Sequence, residues 1–157
     1  AGADWAINIL GVGVLTPYAG WAASGMPLRP EGTWILAGFG LLFGALYPLT
    51  QLYQFEEDET RGDRTLARLL GIGPSLGVSL AAAVLAFAAF GRGLELAGPT
   101  RQARWALAMA GVLWVLVLAV WLATHRRLTG EEHKRGMYRA LTAWAVTDAA
   151  VVLAFAI

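Results

Sequence analysis

The sequence predicts an all-α protein, a polytopic bundle of transmembrane helices, and three observations carry that prediction. Hydrophobic residues make up 57% and charged residues 15% of the 157 positions, against roughly 45–50% and roughly 25% in an ordinary soluble domain. The charges are clustered, so uncharged runs extend over 5–28, 32–55, 69–91 and 105–124, each long enough for the roughly 20 residues that cross a bilayer. A fifth run, 140–157, is interrupted only by Asp148. Five such spans leave little chain for anything outside the membrane, which predicts a single membrane domain over 1–157.

The first span, about 5–25, carries Pro17 at its middle, where a membrane helix kinks and releases backbone carbonyls to a cavity or a neighbour. A turn follows at Met26-Pro27-Leu28-Arg29-Pro30. The second span, about 33–55, passes Gly38, Gly40 and Gly44, a small-residue spacing that suits close helix packing. The third, about 74–91, opens after Gly71-Ile72-Gly73-Pro74, where two glycines and a proline end one helix and start another. The fourth covers about 105–124 and the fifth about 138–157. Trp5, Trp34, Trp105 and Trp144 fall near the expected ends, where indoles anchor helices at the membrane interface. Asn8 and Tyr18 read as helix-to-helix hydrogen-bonding groups.

Twelve Lys and Arg against eleven Asp and Glu leave a formal charge of +1, which is no electrostatic footprint for nucleic acid. The absence of cysteine excludes a disulfide framework, a thiolate nucleophile and a Cys-ligated metal. The opening Ala1-Gly2-Ala3-Asp4 has no basic region ahead of the apolar run and does not read as a signal peptide; both termini read as cuts within a longer chain. Orientation follows from Lys and Arg. The 54–70 and 125–139 connections hold Arg61, Arg64, Arg68, Arg126, Arg127, Lys134, Arg135 and Arg139, eight in all, against Arg29, Arg92, Arg101 and Arg104 on the other side. The positive-inside rule therefore puts both larger connections, and the acidic segment, on the cytoplasmic side of a cell (inner) membrane.

Five of the eleven acidic residues, Glu56, Glu57, Asp58, Glu59 and Asp63, crowd into eight positions at the end of the second span. Followed backwards at helical spacing, Asp58, Gln54, Gln51 or Thr50, and Tyr47 lie three or four residues apart, so one polar face is expected to run from the acidic cluster into the membrane. The helix is expected to continue through Phe55 to about Arg61. Such a stripe lines a cavity with a carboxylate-rich mouth, suited to magnesium, which takes one or two carboxylates and completes its octahedron with water and phosphate. Arg61 and Arg64 then meet the diphosphate oxygens. A solvated loop whose acids pair with Arg61, Arg64 and Arg68 accounts for the same composition. The second connection, with net charge +3 over 126–139, reads either as a basic lip facing the acidic one or as a lipid-headgroup contact.

The run from Tyr47 to Gly71, with Gln54, Asp58, Gly62 and Arg64-Thr65 within it, resembles the second aspartate-rich motif of the UbiA-type intramembrane prenyltransferases, D-x-x-x-D-x-x-x-G followed by a basic residue and Thr. Asp58 takes the second Asp, Gly62 the Gly and Arg64-Thr65 the basic-Thr pair; the first Asp falls on Gln54, with Glu57 as its replacement ligand. Two spans before the motif and three after it match helices five to nine of that nine-helix family, and Leu15-Thr16-Pro17-Tyr18 is similar to its fifth helix. The family's first motif, N-D-x-x-D-x-x-x-D, occurs nowhere in the 157 residues.

The resemblance implies the C-terminal half of a prenyltransferase, with its N-terminal half as partner. It implies magnesium on an isoprenoid diphosphate, held by Asp58 and Glu57, and substrate contacts from Gln54, Arg61, Arg64, Tyr47 and Gln51. It also implies transfer of the prenyl group to an aromatic or similar hydrophobic acceptor. The isolated half is expected to be inactive. A non-catalytic five-helix membrane protein whose acidic loop binds a partner or a divalent cation is the alternative. Asp148, about ten residues into the last span, is too costly to leave charged in lipid and is read either as hydrogen-bonded to Thr142 or Thr147 or as a cavity group. His125 and His133, with no paired ligand set, read as solvated loop residues.

Overall fold

The computed structural model describes residues 2–98 and 100–156, and these form helices joined by short turns, with no strand among them. The first helix, α1, is built from three continuous pieces, Gly2–Asn8, a π-helical stretch Ile9–Leu15, and Thr16–Ala23. The wider turn sits directly ahead of Pro17. A proline ring clashes with the carbonyl four residues back in a regular helix, and the extra residue of a π-turn relieves that clash. The Thr16 hydroxyl donates to the Gly11 carbonyl at 3.1 Å.

Helix α2, Pro30–Leu52, starts with proline at its first turn and holds Pro48 in its interior. Because Pro48 has no N–H, the Gly44 carbonyl one turn earlier has no helical donor. The Trp5 indole of α1 donates to that carbonyl at 3.1 Å. The two helices cross closely at Gly13 and Gly40, where a Cβ on Gly40 would lie 2.6 Å from Val14 and one on Gly13 would lie 2.9 Å from Phe43.

The helix does not run unbroken into the acidic segment as the spacing predicts: it stops at Leu52, and α3, Phe55–Arg61, begins after a turn at Tyr53 and Gln54. Leu52 and Asp58 are both buried, at 2% and 3% exposure. Six residues at about 100° each would put them on different faces of one straight helix, so the turn resets the register and lets both point inward. Gly62, at φ +75°, closes α3 in the left-handed conformation, and Asp63 N–H donates back to the Asp58 carbonyl at 2.9 Å. The short α4, Leu66–Leu70, is capped by Thr65, whose hydroxyl accepts from Arg68 N–H.

Helix α5, Ile72–Ala97, returns along α2; α6, Arg101–Thr124, packs on α5 and ends in a 3₁₀ turn, His125–Arg127; α7, Gly130–Ala156, packs on α6. Trp144 of α7 closes the circuit against Phe39 and Phe43 of α2. The core of this four-helix array is formed by Leu42, Leu49, Leu76, Phe90, Trp114 and Leu118, all fully buried. Helix α1 lies outside it and buries only Gly13 among its described residues.

Among the described residues four helices are long and apolar enough to cross a membrane, Gly2–Ala23, Pro30–Leu52, Ile72–Ala97 and Arg101–Arg127, one fewer than the five the sequence predicts. The fifth helix forms, yet Glu131, Glu132, His133, Lys134, Arg135 and Arg139 occupy its opening turns and Asp148 interrupts the remainder. The tryptophans also divide. Trp34 and Trp105 stay exposed near helix ends, whereas Trp5 and Trp144 are drawn into contacts with α2.

Candidate functional site

The turn between α2 and α3, the two short helices α3 and α4, and the start of α5 cluster at one end of the bundle. The α6–α7 connection lies at the same end, where the His125 ring sits about 3.0 Å from where a Cβ on Gly73 would be. At the centre is Asp58. Its Oδ1 accepts from Arg61 Nη2 at 2.9 Å, its main-chain oxygen accepts from Arg68 Nη1 at 3.0 Å, and its Oδ2 is buried with no hydrogen-bond partner. Arg61 also reaches Asp63 Oδ2 at 3.1 Å. Arg68 donates to the Asp63 carbonyl at 2.6 Å, which ties α4 back onto the end of α3. The hydrogen bond that Arg61 donates to Asp58, reinforced by the charge of Asp63, holds its guanidinium more firmly protonated than usual.

The polar stripe expected on α2 is divided among separate partners. The Tyr47 hydroxyl donates to Asp4 of α1, and Asn8 Nδ2 approaches the same hydroxyl at 3.4 Å, which bears out Asn8 as an interhelical bonding group. Gln51 is buried, and its Oε1 accepts from Ala67 N–H at 3.0 Å, so it satisfies a main-chain donor in the buried first turn of α4. Gln54 Nε2 donates to the Tyr53 hydroxyl at 3.1 Å, and the Gln54 carbonyl accepts from Asp58 N–H at 2.8 Å. Glu57 and Glu59 are exposed, and the Glu56 side chain lies outside the described residues.

Arg64 is exposed and makes no ion pair among the described residues. It borders a cavity of about 630 Å³ together with Gly62, Asp63, Thr65 and Arg68. Two guanidiniums, a hydroxyl and a carboxylate on one wall provide donors for phosphoryl oxygens beside an acidic group. Arg68 and Thr65 thus join the site through structure; the capping role of Thr65 was legible in a hydroxyl residue placed just before an apolar run.

Asp148 is not brought to this cluster. It lies 18 residues along α7 from Gly130, roughly 27 Å at 1.5 Å per residue, with the Trp144 side chain as its neighbour. Thr142 donates to the Tyr138 carbonyl at 3.0 Å and Thr147 to the Ala143 carbonyl at 2.8 Å, so their hydroxyl protons are committed within the helix. The histidines are not solvated as expected. His133 is buried at 4% exposure and accepts from Trp121 Nε1 at 2.9 Å, and His125 Nδ1–H donates to the Leu122 carbonyl at 2.6 Å. Neither falls within a group of three or more His, Asp or Glu side chains able to hold a metal among the described residues.

No group of three or more His, Asp or Glu among the described residues could cage a metal ion. Magnesium does not need such a cage, since one or two carboxylates with water and phosphate suffice. The orphaned Asp58 Oδ2 offers one carboxylate oxygen of that minimal set, and Glu57, one position before it, is exposed to solvent. The chain matches no protein-family model, no curated protein and no solved structure.

Proposed function

We propose that this chain is the diphosphate-binding half of an intramembrane prenyltransferase of the UbiA type. The observation that carries the reading is Asp58: a buried carboxylate with one oxygen held by Arg61 and the other unpartnered, at the membrane-surface end of a spanning helix. The Gly62-Asp63-Arg64-Thr65 signature and the cavity bordered by Arg64, Arg68 and Thr65 support it. Magnesium would be held by Asp58 with Glu57 and would neutralise the departing diphosphate. Arg61 holds the Asp58 carboxylate in place through its ion pair, while Arg64 and Arg68 offer guanidinium donors to the same phosphate. The apolar helices exclude water from the reacting carbon. Under this reading the first acidic motif comes from the N-terminal half of the same protein, and the acceptor is an aromatic or similar hydrophobic molecule.

The test is binding of geranyl thiolodiphosphate, a non-hydrolysable analogue, to the protein in lipid nanodiscs with and without magnesium. Wild type should bind in a magnesium-dependent manner. Asp58→Asn, which keeps the side chain's shape, should weaken binding by about ten-fold or more, the worth of one charged ligand contact. Glu59→Ala should have little effect. Equal affinity across the three proteins, or binding indifferent to EDTA, would remove Asp58 from the site.

One observation favours a second reading. Gln54 is bonded to Tyr53 and Glu57 and Glu59 face solvent, as in a non-catalytic membrane protein whose acidic loop binds a divalent cation or a partner. Magnesium binding that is unchanged by the analogue and lost in Glu57→Ala/Glu59→Ala would favour that alternative.

A further inference from the structure

A second feature lies at the same end of the bundle on the opposite pair of helices, and it does not depend on the prenyltransferase reading. A groove of about 360 Å³ runs between α6 and α7. Its floor is Trp121, which lies against α7 because Gly136 has no side chain; a Cβ there would come within 2.7 Å of the indole. One wall is the apolar ladder Leu116, Val117 and Val120, with Leu116 and Val120 each 57% exposed. Leu116 to Thr124 is eight residues, so the ladder descends roughly 12 Å from the end of the membrane-crossing helix.

The mouth is cationic. Arg135 and Arg139 stand one helical turn apart on α7 and line the groove, both exposed and neither in an ion pair or hydrogen bond among the described residues. Of the nearby acids, Glu132 also lines the groove and feels the charge of Arg135, but its carboxylate is hydrogen-bonded at the start of α7. Glu132 Oε2 accepts from Thr129 N–H at 2.7 Å and from the Thr129 hydroxyl at 2.9 Å, capping α7. Glu131 pairs with Lys134 at 3.9 Å. Arg126 and Arg127 close the connection above.

We propose that this groove binds one anionic diacyl phospholipid, with its phosphate between Arg135 and Arg139 and one acyl chain along Leu116, Val117 and Val120. Two planar guanidiniums with no ion pair suit a phosphodiester, and the apolar wall lies across the groove from them. A free phosphate would use only the mouth; the ladder is what selects a lipid.

Native mass spectrometry of the purified full chain in a neutral detergent, titrated with phosphatidylglycerol, tests this. One phosphatidylglycerol should be retained per chain, and phosphatidylcholine with the same acyl chains should be retained far less. Arg135→Gln/Arg139→Gln should weaken phosphatidylglycerol binding roughly 25-fold, about five-fold for each basic residue at an anionic headgroup. Arg101→Gln/Arg104→Gln, which removes the same charge at the other end of α6, should leave it unchanged. Millimolar inorganic phosphate should not displace the lipid. Equal loss in both double variants, equal binding of the two lipids, or displacement by inorganic phosphate would each overturn the assignment.

Discussion

Trp5 illustrates how a single side chain repairs a backbone defect made by another. Pro48 interrupts the hydrogen-bond ladder of α2, and the Gly44 carbonyl that it strands is taken by the Trp5 indole from a neighbouring helix. An unmet carbonyl in apolar surroundings costs about 1–3 kcal/mol, so Trp5→Phe should destabilise the protein by about that amount. The same substitution in a Pro48→Ala background, where the restored main-chain N–H can reach the Gly44 carbonyl, should cost markedly less. Denaturant unfolding in detergent micelles would measure both; equal costs in the two backgrounds would show that the indole contributes packing alone.

Two elements, α6 and α7, are joined by a titratable contact. Trp121 Nε1 donates to His133 Nδ1, which requires a neutral ring with its proton on Nε2. Burial first, and the charge of His125 second, push the His133 pKa below its ordinary value, while Glu132 acts in the opposite sense. In the unfolded chain the ring titrates near its ordinary value of about 6.5. The unfolded state therefore binds more protons as pH falls through that region, and the contribution of this contact is present above it and lost below it. Melting temperature followed by helical circular dichroism should accordingly fall between pH 7.5 and pH 5.5. In His133→Asn, whose amide oxygen can still accept from Trp121, that part of the pH dependence should vanish. An identical pH profile in the two proteins would remove His133 as its source.

For the whole molecule, the antiparallel course of α2, α5 and α6 places the 53–71 and 125–129 connections at one end and the 24–29 connection, Gly98 and Thr100 at the other. From the eight-to-four distribution of Lys and Arg we propose that the first end faces the cytoplasm. With no native cysteine, single introduced cysteines report this directly. Glu59→Cys and Thr129→Cys should react with an impermeant maleimide only in inverted membrane vesicles, and Leu28→Cys and Gln102→Cys only in intact cells. Labelling of Glu59→Cys and Thr129→Cys from opposite sides would refute the helix arrangement. Labelling of both from outside would reverse the orientation and leave the arrangement intact.

The division between what could be read along the chain and what needed the fold follows the range of the forces involved. Hydropathy and charge are local properties, so the uncharged runs around α1, α2, α5 and α6 located those four helices, and the crowding of carboxylates before Gly62 picked out Asp58. The small-residue spacing at Gly38 and Gly40 likewise marked close contacts, with Phe90 and with Val14. The limit came where a partner is distant in sequence. Tyr47 bonds Asp4 across 43 residues, Trp5 reaches Gly44 across 39, and Gln51 holds Ala67 across 16. The Tyr47 and Gln51 pairings, with the local bond from Gln54 to Tyr53, divided the expected polar stripe into three separate tasks. The break at Tyr53 and Gln54 has the same origin, since helical periodicity alone continues the helix, and only the requirement to bury Leu52 and Asp58 together turns the chain.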